Sequence, residues 1–448
     1  MDAAARWHAV LRPELEMSRA ACDNLAAAMR ARKLTFGDRV LCPFLRPFFL
    51  TEQDEARMRA AAETIAALGE RVVDAALESR DIFDQLGLSD AETRLARIDP
   101  GCARASTASR LDAFLLPHSL RFAEYNAESP AGLGYAQRLC ELFDALPVMA
   151  RFREGRQVRF KPTIAPMLEA LLETYREWGG RTAAPRVAIV DWRSVPTWTE
   201  FEILRDAFVA LGVPTIVCDP ADLEFDGHTL TAEGKRVDLV YRRVLINDIV
   251  ARPDACAALV AAYEARAVCV ANTFRCKLAH KKAFFAVLTD DRNAALFSGA
   301  ERAAIQAHVP WTRVVADADT VKNGHRYELL RLAEQDRESL VLKPNDEYGG
   351  TGVTLGWETS PADWSAALDV ALADPPGAWV LQERIPVRRE VFPQFDANGE
   401  VTMREMLVDF APYLFRGRMH GYLTRLSATG LANVTSGGGQ VPAFVVAE

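Results

Sequence analysis

Between residues 186 and 275 the sequence alternates short apolar runs with longer helical stretches. The run RVAIVD is followed by EFEILRDAFVALG, PTIVC and RVDLVYRRV, and then, after another helical stretch, by AVCVAN. Short apolar strands separated by helices are typical of right-handed βαβ units, in which parallel strands lie side by side beneath covering helices. The pattern therefore predicts an α/β fold with a Rossmann-like parallel sheet over residues 186–275.

The flanking regions have different patterns. Residues 1–100 are rich in Ala and Glu and contain a Ser89-x-x-Glu92 capping box, which predicts a helical N-terminal segment. Residues 101–185 contain a predicted strand pair, and residues 276–448 mix helices with strands such as SLVLKPN and WVLQERI. Because no segment has the composition of a linker, we expect the resulting domains to be interleaved in space.

Charge and cysteine content narrow the function classes. The formal net charge is -8 and the pI is near 5.6, which disfavours a nucleic-acid partner, since such partners usually require a basic face. The eight cysteines form no CxxC pair and most lie in apolar runs, so we expect them to be reduced and buried in a cytoplasmic protein. The N-terminus has no signal-like apolar region, and no long apolar window predicts a membrane contact.

The stretch RFAEYNAESPAG contains the first candidate site. On a strand, Glu124 and Asn126 project to the same side, and Glu128 would join them if the strand continued. The preceding run LDAFLL and the turn PHS predict a hairpin that lays Asp112 beside these residues, with Arg110 on the same face. Three oxygen ligands suit Mg²⁺. The alternative is an exposed strand end followed by an Asn-initiated turn.

Two further motifs occur in the last third of the chain. In VLKPNDEYGGTGV, Lys343 near a strand end precedes a glycine-rich loop whose backbone N–H groups can approach phosphate oxygens, although most such loops are simple turns. In WVLQERIP, the polar stretch Gln382 to Arg384 interrupts an apolar strand, which is typical of a nucleotide site or of an edge strand. Neither motif is a Walker A loop or a Rossmann fingerprint.

Taken together, the three motifs resemble those of ATP-grasp enzymes. The Lys-Pro strand before the GGTG loop resembles the phosphate-binding segment, and the strand ending in Gln-Glu-Arg-Ile resembles the adenine segment. Arg-x-Asp followed by Glu-Tyr-Asn resembles the magnesium motif. Here that motif comes before the lysine strand, an order that resembles the circularly permuted ATP-grasp proteins, including the synthetase domain of glutathionylspermidine synthetase. The resemblance covers roughly residues 100–440, and the loop departs from it by reading GGTG where that synthetase has a charged pair between glycines.

The resemblance implies a fold, cofactors and residue roles. The fold would be an ATP-grasp core in permuted order, with its magnesium-binding part in residues 101–185, the substrate domain in residues 186–275, and its ATP-binding part with a glycine-rich lid in residues 276–448. The cofactors would be ATP and Mg²⁺. The roles carried over are metal binding by Asp112, Glu124 and Asn126, contact with the transferred phosphoryl group by Arg110, phosphate binding by Lys343 and Lys282, lid formation by Gly349, Gly350, Thr351 and Gly352, and adenine recognition by Gln382, Glu383, Arg384 and Ile385.

The implied activity is that of an ATP-dependent ligase. It would join a carboxylate to an amine or thiol through an acyl phosphate, acting on a small molecule or peptide in the cytoplasm and releasing ADP and phosphate. A non-catalytic nucleotide-binding partner and a kinase-like phosphotransferase are the alternatives. The residues leave open the acid, the amine, the pathway and the oligomeric state, the choice between Lys281 and Lys282, and whether Arg242, Arg243 or Arg425 contacts substrate.

Overall fold

The computed structural model describes residues 3–15, 19–37, 39–347, 349–429 and 438–447. The run SGGGQ at residues 436–440 predicts a further loop, and its first two residues lie outside this range. Within the described residues, none of the helices combines the length and apolar character needed to cross a membrane. All eight cysteines are free, and all except Cys102 are buried, as predicted.

The described helices lie between Ala3 and Ala373. They are α1 Ala3–Leu15, α2 Arg19–Ala31, α3 Glu52–Glu78, α4 Arg80–Leu86, α5 Asp90–Arg97, α6 Leu133–Asp144, α7 Pro147–Phe152, α8 Ile164–Trp178, α9 Trp198–Ala210, α10 Ile246–Ala251, α11 Ala257–Glu264, α12 Cys276–His280, α13 Ala283–Thr289, α14 Gly299–His308, α15 Leu329–Gln335 and α16 Pro361–Ala373. The predicted capping box is present at the start of α5, where the Ser89 side chain accepts from the Glu92 N–H. The N-terminal region is therefore helical, as the sequence predicts.

The strands are short except in the C-terminal region. They are β1 Thr35–Phe36, β2 Arg39–Val40, β3 Phe48–Thr51, β4 Ala108–Leu115, β5 Leu120–Asn126, β6 Val158–Arg159, β7 Val187–Val190, β8 Thr215–Cys218, β9 Leu223–Phe225, β10 Leu230–Ala232, β11 Lys235–Arg236, β12 Leu239–Arg242, β13 Cys269–Ala271, β14 Thr312–Val314, β15 Asp319–Lys322, β16 His325–Glu328, β17 Leu340–Pro344, β18 Thr354–Leu355, β19 Trp379–Glu383, β20 Arg388–Phe395, β21 Val401–Phe415, β22 Arg418–Ser427, β23 Gly439–Val441 and β24 Ala443–Val446.

The predicted parallel sheet is present. Its strand order is β13-β12-β7-β8, and each neighbouring pair is parallel. Strands β7, β12 and β13 are buried along their whole length, because helices cover the sheet and leave no solvent face. The α/β fold class is confirmed.

The predicted hairpin of β4 and β5 forms one edge of a larger antiparallel sheet. Strand β4 also pairs with β21, which continues through β22 to β23, while β20 pairs with the first half of β21. Residues separated by about three hundred positions along the chain therefore share one sheet. This sheet forms the floor of the site described below.

A smaller antiparallel sheet of order β14-β19-β17-β18 has its own apolar core. Leu340 and Leu342 of β17 and Leu381 of β19 pack against Trp364 and Leu368 of α16. Most of the other buried apolar residues form one continuous cluster, which includes the N-terminal helices, the hairpin, the parallel sheet and the C-terminal strands. The three predicted domain boundaries stay a prediction, and this cluster crosses them.

Candidate functional site

A cavity of about 300 Å³ lies between the large antiparallel sheet and the smaller one. Its floor carries side chains of β4, β5, β21 and β22, and its opposite wall carries side chains of β17 and β19 with the glycine-rich turn at residues 349–352. Motifs that are far apart in the sequence therefore meet at one cavity. The predicted residues that line it are Asp112, Glu124, Lys282, Lys343, Gly349, Gly350, Thr351, Gln382, Glu383, Arg384 and Ile385.

The two predicted carboxylates lie opposite each other on the floor. Asp112 of β4 is the register partner of Glu124 of β5, and Arg110 is the partner of Asn126, so all four share a face as the hairpin predicts. The Asn126 side chain donates to Glu124 Oε1 at 3.0 Å. The strand ends at Asn126, and Glu128 does not join this group. The register therefore confirms the shared face of the first four residues.

Asp112 is held by two arginines. Arg110 Nε and Nη2 donate to its two carboxylate oxygens at 2.7 and 3.2 Å, and Arg425 of β22 donates to Oδ2. Burial by itself would raise the pKa of Asp112, but the two guanidinium charges outweigh it and hold the pKa well below its ordinary range. Arg110 lies behind Asp112 and does not line the cavity, so its direct contact with a phosphoryl group stays a prediction.

Asp409 is a site residue that sequence reasoning missed. It faces Arg425 across β21 and β22 and accepts from Arg425 Nε through Oδ2 at 2.6 Å, while Oδ1 is buried and has no hydrogen-bond partner among the described residues. Burial raises the pKa of Asp409 to about 6, although the Arg425 charge opposes the shift. An acidic residue inside the apolar run EMLVDFA was the available signal, since buried carboxylates require a paired cation.

Lys343 projects from β17 into the cavity. Its Nζ donates to Gln382 Oε1 at 2.6 Å, and Gln382 Nε2 donates in turn to Thr312 Oγ1 at 3.1 Å. Burial lowers the pKa of Lys343 to about 8, with the Lys282 charge adding to the effect and the Glu124 charge opposing it. The Gln382 side chain therefore positions this ammonium, whereas the resemblance implies a role for Gln382 in adenine recognition.

Lys281 and Lys282 point in different directions. Lys282 lines the cavity, donates to the Glu347 carbonyl at 2.5 Å and lies 3.6 Å from a Glu124 oxygen. Lys281 is buried and donates to Glu92 at 3.0 Å and to Asp346 at 2.6 Å, away from the cavity. Of the two lysines, Lys282 is therefore the one placed to meet a phosphate.

The glycine-rich turn requires glycine on backbone grounds. Gly349, Gly350 and Gly352 have φ values of 67°, 79° and 71°, which lie in the left-handed region that other residues adopt at a cost. A Cβ on Gly352 would also approach Pro344 Cγ to 2.7 Å. Gly349 and Thr351 are exposed. The turn therefore presents exposed backbone at the rim of the cavity.

The predicted adenine segment has fewer available backbone groups than expected. The Glu383 N–H donates to the Trp311 carbonyl at 2.8 Å, and the Arg384 N–H donates to the Ser339 carbonyl at 2.8 Å. Ile385 N–H makes no hydrogen bond to a described residue. Among the backbone N–H groups of Glu383, Arg384 and Ile385, that of Ile385 is thus the one that can donate to a base.

Arg242 and Arg243 lie outside the cavity. Arg242 is fully buried and pairs with Glu128 at 3.0 Å, and Lys277 also pairs with Glu128, at 3.2 Å. Arg243 donates to the Pro130 carbonyl at 2.7 Å. A substrate clamp at these arginines, raised as a possibility from their position at a strand end, is therefore not supported by the geometry. Arg425 does line the cavity.

The donor set fits magnesium. No group of three or more His, Cys, Asp and Glu side chains in the described part of the chain is arranged to hold a metal alone. Asp112 and Glu124 instead supply two carboxylates on the cavity floor, with the Asn126 amide beside them. Mg²⁺ commonly takes one or two carboxylates and completes its shell with water and phosphate oxygens. The residues present meet that requirement.

Comparisons with known proteins agree with this geometry. Residues 118–434 match the family described as circularly permuted ATP-grasp type 2. The solved structures that resemble the chain include an apo glutathione synthetase-like effector from Globodera pallida, with a TM-score of 0.58 at 12% identity over 95% of this chain and 96% of that one. A putative gamma-glutamylcysteine synthetase from Methylobacillus flagellatus KT gives 0.40 at 11% identity over 83% and 84%, which is too low to carry an argument. No curated protein matches significantly.

Proposed function

Because the chain belongs to the circularly permuted ATP-grasp type 2 family, as the motif order predicted, we propose that it is an ATP-dependent ligase that joins a carboxylate to an amine or thiol. The observation that carries the proposal is the meeting of Lys282, Lys343, Asp112 and Glu124 at one cavity beside a glycine-rich turn. Two ammonium groups suit the phosphates of a nucleoside triphosphate, and the carboxylate pair suits the divalent cation bound with it.

The cavity residues have distinct proposed roles. Lys282 and Lys343 bind phosphate oxygens, and the turn at residues 349–352 covers the phosphates and excludes water that would hydrolyse an activated acid. Asp112 and Glu124, with Asn126, would hold Mg²⁺, which neutralises charge on the phosphates when bound. Transfer of the γ-phosphoryl group to a carboxylate would give an acyl phosphate and ADP, and attack by the amine would release phosphate.

Arg389 supports a carboxylate substrate. It projects from β20 into the same cavity, is exposed, and makes no hydrogen bond or ion pair to a described residue. The other cavity cations are engaged, because Arg425 binds Asp112 and Asp409 and Lys343 binds Gln382. A guanidinium with free donors can bind a carboxylate in a bidentate manner. We assign Arg389 to the acid substrate.

The test is a screen of amino acids, polyamines and small peptides for substrate-dependent phosphate release, with mass spectrometry of any conjugate. ADP and phosphate should appear together with one conjugate, and hydroxylamine should trap the activated acid as a hydroxamate. AMP with pyrophosphate would refute the acyl phosphate. A stable phosphorylated product with no amine requirement would instead identify a kinase, and ATP binding without turnover on any substrate would identify a non-catalytic partner.

A matched pair of variants tests the acid subsite once an acid is found. Arg389→Gln should raise the KM for the acid about tenfold or more and leave the KM for ATP unchanged, since one charge-assisted contact is lost. Arg404→Gln removes an exposed cation outside the cavity and is the control. Equal behaviour of the two variants would remove Arg389 from the site.

A further inference from the structure

A second pocket of about 540 Å³ lies on the other side of the large sheet, near the N-terminus of the chain. We call it the N-terminal pocket, and its lining includes Ala4, Thr51, Arg46, Arg156, Arg388 and Glu390. Strand β20 separates it from the candidate active site, because Arg389 faces the active-site cavity while its neighbours Arg388 and Glu390 face the N-terminal pocket. The two pockets are therefore distinct.

Among the described residues, the lining of the N-terminal pocket has more positive than negative side chains. Three arginines line it, against the carboxylates of Asp54 and Glu390. Glu390 accepts from both Arg46 and Arg388 at 2.6 Å, so a single carboxylate serves two guanidinium groups. Asp54 already accepts from Arg57, a cation outside the lining, at 3.2 Å. Both carboxylates of the described lining are therefore paired with arginines, and the lining keeps a net positive charge.

Two of the arginines are fixed in place and the third is available. The Arg46 side chain is 1% exposed and stacks over Phe392 with its guanidinium carbon 3.6 Å from the ring centroid. Arg388 lies 5.1 Å from the centroid of Phe48. The Arg156 guanidinium carbon lies 5.5 Å from the centroid of Phe152, and this side chain makes no hydrogen bond or ion pair to a described residue. A buried cation held by an aromatic ring is preorganised, so a ligand does not have to order it.

Helix ends add to this charge. The first turn of α1, at Ala3 and Ala4, and the start of α3, at Thr51 and Asp54, both line the pocket. The N-terminal N–H groups of a helix lack intrahelical acceptors and carry a partial positive charge. In α3 the Thr51 side chain satisfies the Asp54 N–H. Guanidinium and helix N-terminal N–H groups together recognise oxyanions.

We propose that the N-terminal pocket is a second ligand site, which binds a small multivalent oxyanion of the carboxylate or phosphate class. Its volume falls in the range of small-molecule sites, about 300 to 1,000 Å³. Arg156 and Arg388 donate to the anion, and Arg46 provides the fixed charge at the back of the pocket. The same chemistry accepts a tricarboxylate or a phosphate.

The experiment measures binding of citrate and of inorganic phosphate by isothermal titration calorimetry without ATP. Arg156→Gln should raise the Kd of the bound anion about tenfold or more, because it removes one charge-assisted contact. Arg80→Gln removes a cation at the start of α4, where the side chain is 89% exposed, and should leave the Kd unchanged. Binding of citrate alone would identify a carboxylate ligand, and binding of phosphate alone would identify a phosphate ligand. If both anions bind, the lower Kd shows which class the pocket prefers.

Two further variants distinguish anion binding at the N-terminal pocket from binding at the active site and from a loss of binding caused by misfolding. Lys343→Met should retain the anion Kd, since Lys343 lies in the other cavity. Ala4→Glu places a carboxylate in the N-terminal pocket at a helix position that tolerates it, and should abolish binding while the melting temperature without anion is maintained. Absence of binding by both anions, an unchanged Kd in Arg156→Gln, or loss of binding in Lys343→Met would overturn the proposal. None of these outcomes depends on ligase activity.

Discussion

Substitution of Lys343 by Met tests the phosphate site directly. The change keeps an unbranched side chain of similar length but removes the ammonium that Gln382 Oε1 holds at 2.6 Å. One unit charge about 4 Å from a phosphate oxygen, at an effective dielectric constant of about 20, contributes about 4 kcal/mol before competing costs. We expect a loss of about 2 to 4 kcal/mol, which is roughly a thirtyfold to thousandfold increase in the Kd for ATP.

The pH dependence provides a sharper form of the same test. Because the pKa of Lys343 in the free protein is about 8, the ammonium is present below that pH and is lost as the pH rises through it. ATP binds the ammonium form and raises its pKa, so linkage predicts that affinity falls by up to about tenfold per pH unit above the free-protein pKa. Lys343→Arg keeps its charge throughout, and its affinity should be independent of pH over this range.

Gln382→Leu supplies an independent control. Removal of the acceptor at 2.6 Å destabilises the protonated amine, so the pKa of Lys343 should fall further and the loss of affinity should begin at a lower pH. The assay is calorimetric titration of ATP between about pH 7 and about pH 10, a range that spans the shifted and the ordinary pKa of lysine. A pH-independent affinity in the wild type, with an unchanged Kd in Lys343→Met, would refute the phosphate contact.

Two pairs of substitutions complete the predictions. Lys282→Met should weaken ATP binding with little change in the melting temperature. Lys281→Met should lower the free energy of unfolding by about 3 to 5 kcal/mol, because Lys277 alone would then pair with the carboxylates of Glu92 and Asp346. Glu124→Gln should abolish magnesium-dependent turnover, while its free energy of unfolding stays within about 0.5 kcal/mol of the wild-type value. Asp112→Asn should abolish turnover and also destabilise the fold by about 2 kcal/mol or more, because the buried Asp112 carboxylate pairs with the buried Arg110 and the partly buried Arg425. Thermal denaturation measures the stability of each variant, and phosphate release measures its turnover. If Lys282→Met were the destabilised lysine variant, or Glu124→Gln the destabilised carboxylate variant, the assignments would be contradicted.

The strand-level predictions succeeded where local pattern decides structure. The alternation of strands and helices over residues 186–275 predicted the parallel sheet, since each strand is short, apolar and bounded by turn residues. The hairpin register followed from the period of two along a strand, which set Arg110, Asp112, Glu124 and Asn126 on one face. These features depend on neighbours within about twenty residues, so the sequence contains the needed information.

Predictions about individual side chains were less complete, because their partners come from distant elements. Sequence spacing cannot show that the Gln382 side chain reaches Lys343 and not a base, since that contact depends on the register of two antiparallel strands. The pairing of Arg242 with Glu128 likewise depends on how the parallel sheet packs against the hairpin. Asp409 was missed because only the strand order places it beside Arg425 and the cavity.

Hydrophobic period, turn chemistry and residue spacing are local properties, so they were sufficient to predict the elements, the hairpin face and the family-like motif order. Which charged groups reach solvent in the cavity, and which neutralise one another in the core, depends instead on how distant elements pack together. Lys281 and Lys282 are adjacent in the chain, yet Lys281 is buried among carboxylates and Lys282 lines the site. The difference arises because adjacent residues point in different directions, and the elements packed around each one set its charge environment.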